Sequence, residues 1–108
     1  MDNLTPETLT PILSQLFQPD TTIVVQATAI LKQHFKTVKA VENLLVLMST
    51  AQDQNLRQIS CVYLRKLIPR LWGNLTVDNQ FTTKNLLLER FLNEPVTIVK
   101  KNIAEVIG

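Results

Sequence analysis

A chain of 108 residues suits one domain, and 45% hydrophobic against 19% charged residues is apolar enough to bury a core, which excludes a disordered chain. Its two glycines exclude glycine-rich phosphate loops and, with only five prolines, argue against an all-β fold built on tight turns. A net charge of +2, on basic residues that are scattered apart from Arg65-Lys66 and Lys100-Lys101, lacks the dense stripe of a module that binds nucleic acid directly.

The first helix is predicted to start at Pro6. Thr5 caps it, proline suits the first turn, and Glu7 suits the positive end of the helix dipole. Leu9, Ile12, Leu13 and Leu16 form its apolar face, and Pro11 predicts a kink. Gln18-Pro19-Asp20 breaks the chain, and Asp20 then caps a second helix over Thr21 to Lys36, with Val24, Ala27, Ile30, Leu31 and Phe35 near one side. A third helix spans Val38 to Met48, with Val41, Leu44, Leu45 and Met48 inward, before a short link at Ser49 to Gln52. Asp53 caps the fourth, Gln54 to Leu71, whose stripe is Leu56, Ile59, Tyr63 and Leu67, reinforced by Val62 and Leu64; Pro69 should kink or end it. Thr76 caps a fifth helix that begins at Val77 or Asp78 and has Phe81, Leu86, Leu87, Leu88, Phe91 and Leu92 on its apolar side. After Asn93-Glu94-Pro95, a sixth runs from Val96 to Ile107 with Val99, Ile103 and Val106 inward. No segment alternates with period two, so no strand is predicted.

The fold class is therefore all-α: a right-handed solenoid of HEAT or armadillo type, with about three antiparallel helix pairs over roughly 6–36, 38–71 and 77–107. The even-numbered helices carry the repeat. Each follows an acid near a break, at Asp20, Asp53 and Glu94, and each has small residues (Ala27, Ala29, Ser60, Cys61, Ala104) where helices of successive pairs would approach. A natural array needs a polar cap at each end. Ile98, Ile103 and Ile107 supply none, so the expectation is that a further repeat covers them and that the chain is the N-terminal part of a longer solenoid.

Catalytic chemistry is not expected. The chain has one histidine, His34, and one cysteine, Cys61, which sits among packing residues and reads as a buried structural thiol. No His/Cys cluster has zinc spacing, no cofactor motif is present, and the carboxylates are spread out as caps and solvated charges. A lone cysteine forms no internal disulfide, which suits a reducing compartment. Residues 1–6 have neither the basic nor the apolar region of a secretory signal, and no apolar run nears the roughly 20 residues of a membrane span. Outside the secretory route, the Asn-x-Thr triplets at Asn3 and Asn74 are chance matches.

An ordered set of motifs nevertheless stands out. It comprises Ala27-Thr28-Ala29-Ile30-Leu31-Lys32-Gln33, Asp53-Gln54-Asn55-Leu56-Arg57-Gln58-Ile59-Ser60, Leu64-Arg65-Lys66-Leu67-Ile68 followed by Trp72, Asn85-Leu86-Leu87-Leu88, and Val99-Lys100-Lys101-Asn102-Ile103-Ala104-Glu105-Val106-Ile107. The set resembles the importin-β N-terminal domain of karyopherin-β nuclear transport receptors, over nearly the whole chain. Arg57-Gln58 with Arg65-Lys66 is most similar to the receptors that carry histones and ribosomal proteins.

The resemblance implies a superhelix of HEAT repeats that shuttles between cytoplasm and nucleus. It would bind basic protein cargo, pass phenylalanine-glycine nucleoporins and release import cargo when the small GTPase Ran binds in its GTP form. The second helix of each early repeat would line the inner side and meet Ran. That makes Val25, Ala29, Lys32 and Lys36, then Arg57, Cys61 and Arg65, then Lys100 and Lys101 the candidate Ran-binding residues, with Ala104 on the same stripe. The rival is a HEAT-repeat scaffold of a cytosolic multiprotein complex unrelated to Ran, which should lack the ordered set from Arg57-Gln58 to Trp72.

Overall fold

The computed structural model describes residues 5–107. Asn3 and the rest of the segment read for a secretory signal lie partly outside them, as does Gly108. The order is α1 (Pro6–Gln15), α2 (Thr21–His34), α3 (Val38–Thr50), α4 (Gln54–Leu71), a 3-10 turn (Trp72–Asn74), α5 (Val77–Asn93) and α6 (Thr97–Ile107). Among the described residues there is no strand, and no helix is long and apolar enough to cross a membrane.

Local chemistry accounts for the starts. Thr5 and Thr8 form a reciprocal capping box at α1. Asp20 accepts from the amides of Thr22 at 2.9 Å and Ile23 at 3.4 Å, Asp53 from Asn55 at 2.9 Å, and Thr76 from Asn79 at 3.1 Å. Neither proline ends its helix: α1 continues through Pro11 to Gln15, and α4 runs two residues past Pro69 before tightening into the 3-10 turn. Pro11 lies in the middle of α1 and Pro69 in the last turn of α4, and each withholds one backbone donor from its helix. The second helix stops at His34, short of Lys36, because Phe35 leaves helical geometry at ψ 10°. The third extends past Met48 to Thr50, and there the hydroxyls of Ser49 and Thr50 donate to the carbonyls of Leu45 and Val46, at 2.8 and 2.7 Å.

The tightest packing is between α3 and α4, then α4 and α6, then α5 and α6. The three-residue link before α4 turns it back on α3. Leu44, Met48, Leu64, Val99 and Ile103 are fully buried in this core, and α1 adds Leu9 and Leu13. α2 packs on α1 and does not lie along α4 as α6 does. Its C-terminal end reaches further: His34 pairs with Asn43 of α3 at 3.3 Å, and the Phe35 ring meets Tyr63 of α4 at 4.7 Å.

The apolar side read for α5 needs correction. Thr83 and Leu87 face the core, with Leu86 and Phe91 half-buried, whereas Phe81, Leu88 and Leu92 are exposed. Ile30 of α2 is likewise exposed. Of the small residues expected at helix contacts, Ala27, Ser60 and Cys61 are fully buried, but Ala29 faces solvent and Ala104 is only half-buried.

Candidate partner-binding surface

The α4–α6 contact organises the polar chemistry. In the first turn of α4, Arg57 donates from Nε and Nη2 to the two carboxylate oxygens of Glu94, both at 3.1 Å. Its Nη1 donates to the carbonyls of Ala51 at 2.9 Å and Gln52 at 3.0 Å. Glu94, just ahead of α6, also accepts from the Val96 amide at 3.0 Å. Its side chain is 0% exposed and that of Arg57 11%, so the guanidinium is already occupied.

Two turns further along α4, Arg65 approaches Glu105 of α6 at 3.6 Å, and both side chains are open to water. The Arg57–Glu94 and Arg65–Glu105 pairs advance in the same direction on both helices, so α4 and α6 run parallel. Lys101 lies one turn before Glu105 and is exposed. Arg65, Lys101 and Glu105 thus share one accessible face.

The remaining candidates fall elsewhere. Cys61 is 0% exposed, which corrects its assignment to an outward stripe: it fills space between helices. Burial, reinforced by the Glu94 carboxylate and opposed by Arg57, pushes its thiol up to about 12, and this leaves it protonated and unreactive. His34, whose pKa burial lowers, is not among the groups that act on it. Lys100 is half-buried and turns toward α5, its ammonium 5.1 Å from the Phe91 ring centroid. It therefore leaves the face that Lys101 occupies. Val25, Ala29 and Lys32 are exposed along one stripe of α2, and Lys36 is exposed just beyond its end. That stripe stands on α1's partner helix and is not packed along α4. Among the described residues no group of three or more His, Cys, Asp or Glu could hold a metal ion.

The sequence reading missed two features. Glu105 is the acidic member of the α4–α6 face, and only its spacing one turn beyond Lys101 signalled it. The second is an open groove of about 370 Å³ lined by Ile68, Trp72, Lys84, Leu87, Leu88, Val106 and Ile107. Leu88 also belongs to a row of exposed apolar positions on α5, Val77, Phe81, Leu88 and Leu92, whose spacing by four and seven residues marks a second apolar stripe.

Residues 27–93, from within α2 to the end of α5, match the family model of the importin-beta N-terminal domain. The chain belongs to the importin-beta N-terminal domain family. Such domains are HEAT-repeat structures found in nuclear import receptors, which are not enzymes. The match takes in Arg57 and Arg65 but leaves Val25, Lys100 and Lys101 outside it. The chain is 32% identical over 101 residues to a probable importin subunit beta-4 of Schizosaccharomyces pombe, covering 93% of this chain and 10% of that protein. It is 30% identical over 100 residues to importin-4 of Mus musculus, covering 93% of this chain and 9% of that protein. It therefore spans a tenth or less of the length of these importin relatives. No solved structure matches at comparable stringency.

Proposed function

We propose that this importin-beta N-terminal domain is the Ran-GTP-binding start of a nuclear import receptor that shuttles between cytoplasm and nucleus. The full receptor carries basic protein cargo, with histones and ribosomal proteins as the favoured classes, past phenylalanine-glycine nucleoporins and releases it when Ran-GTP binds. The observation that carries the reading is the family match over α2 to α5, which contains Arg57 and Arg65. The accessible α4–α6 face supports it: Arg65 and Lys101 present positive charge beside Glu105, a mixed-charge surface suited to a protein partner. Val25, Ala29, Lys32 and Lys36 on the α2 side extend the proposed contact; Arg57, Cys61 and Lys100 are left out of it because of their existing partners, burial and orientation. A few helices offer a small interface, so affinity in the micromolar range is expected. Interferometry of the chain against Ran locked in its GTP form and in its GDP form tests this. Binding that prefers the GTP form, and that weakens in Arg65→Ala and Lys101→Ala, is the expected result. Equal binding to both forms, or none at about 100 µM protein, refutes it.

A further inference from the structure

The exposed charges are sorted by helix. On the even-numbered helices, or just past their ends, stand Lys32, Lys36, Arg65, Lys66, Arg70 and Lys101, against one exposed acid, Glu105. The exposed acids Glu7, Glu42, Asp78 and Glu89 stand on the odd-numbered helices, whose exposed bases are Lys39 and Lys84; Asp20 and Asp53 are held as caps. Contacts join the first group into a band across three helices. Lys36 follows Phe35, whose ring meets Tyr63 of α4 at 4.7 Å, and the Lys66 ammonium lies 5.8 Å from the Tyr63 ring centroid. The neighbouring Arg65 reaches Glu105 of α6 at 3.6 Å, one turn beyond Lys101. Lys32 lies one turn before Lys36. Helix spacings of about 10 Å make the band about 20 Å long, the reach of about six residues of extended chain.

We propose that this band docks an acidic, extended segment of a partner protein. Lys32, Lys36, Lys66, Arg65 and Lys101 against Glu105 alone attract carboxylates and repel a basic segment. Alternate side chains of an extended strand point the same way about 7 Å apart. That distance falls between the one-turn step of about 5.4 Å and the helix-to-helix step of about 10 Å that separate these bases. Val25 and Ile98, exposed by 61% and 44% on α2 and α6, offer apolar contacts beside the charges. Nucleic acid fits less well. Glu105 repels phosphate, and Tyr63, the aromatic of the band, is half-buried under Lys66 and against Phe35, so it offers no free face to a base. The band overlaps the proposed Ran-GTP surface, but the inference stands on the placement of charge and not on that reading.

The test is fluorescence anisotropy of the folded chain with a labelled peptide of about six residues that alternates glutamate and leucine. The unaltered chain should bind it, and raising salt from about 50 to about 200 mM should weaken binding about fivefold. Lys66→Glu and Lys101→Glu should each weaken it about tenfold, and Glu105→Gln, which removes the one acid of the band, should tighten it about threefold. Lys39→Glu and Lys84→Glu on the odd helices change the net charge as much and should leave binding within about twofold. All five positions are exposed, and circular dichroism checks each fold. If Lys66→Glu does not fold, Lys101→Glu carries the same expectation. No binding at about 1 mM chain overturns the proposal. So does an equal loss on reversing the odd-helix lysines, or tighter binding of oligolysine or oligouridylate of the same length. The titration contains no Ran, so failure of the chain to bind Ran-GTP refutes that reading alone.

Discussion

Replacing Glu94 by alanine should be among the most damaging single changes in this domain. The substitution removes a fully buried carboxylate and leaves the Arg57 guanidinium, only 11% exposed, with two backbone carbonyls as its acceptors. It also strips the Val96 amide of its acceptor. Breaking one side of a buried ion pair costs about 3–5 kcal/mol, most of it the charge left behind. A domain of this size holds about 5–15 kcal/mol in total. The loss corresponds to a fall in Tm of roughly 13–22 °C at the usual conversion for a domain of this size. Removing both partners as Arg57→Met with Glu94→Leu should restore most of it, since no charge is then stranded. Arg65→Ala, at a pair exposed by 63% and 41%, should cost less than about 1 kcal/mol. Urea melts followed by circular dichroism measure all of these. A Glu94→Ala variant within about 1 kcal/mol of the unaltered chain would refute the claim that the pair is buried and mutually dependent.

Two further outcomes follow from buried titratable groups. Burial lowers the pKa of His34 in the folded state below its ordinary 6.5. The unfolded chain therefore takes up a proton first, so stability is fully present above pH 6.5 and declines as pH falls toward the folded value. Urea midpoints between pH 5 and 8 should show this slope in the unaltered chain and a smaller one in His34→Gln; an identical slope in both excludes His34 as its source. Cys61, its thiol pushed up to about 12, should resist a thiol reagent at pH 8 until the chain is unfolded, and label at once in denaturant. Rapid labelling of the folded chain would contradict the burial.

Much of the fold was legible because it is written locally. Caps at Asp20, Asp53 and Thr76 and apolar residues every three to four positions marked the helices to within a few residues. α5 was misread because it has more large apolar side chains than one face can bury: Leu87 goes inward while Phe81, Leu88 and Leu92 stay out, and only the packing of α6 decides which. Arg57 reads as a contact in the sequence because its partner lies 37 residues away in another link, beyond the reach of any local pattern. Lys100 and Lys101 look equivalent in sequence, yet one residue of helical rotation sends the first toward Phe91 and leaves the second in water.

The parallel course of α4 and α6 gives their shared face a direction. Peptide dipoles in antiparallel neighbours largely cancel, but in these two helices they add. At one edge the positive ends meet carboxylates from the chain itself, Asp53 before α4 and Glu94 before α6. Toward the other end, α4 closes on its own terminal carbonyls with Arg70 in its last turn. A molecule lying along this face meets a field that differs from one end to the other. Turning it end for end changes its energy even where every side-chain contact could be remade, so the backbone itself favours one orientation of whatever docks.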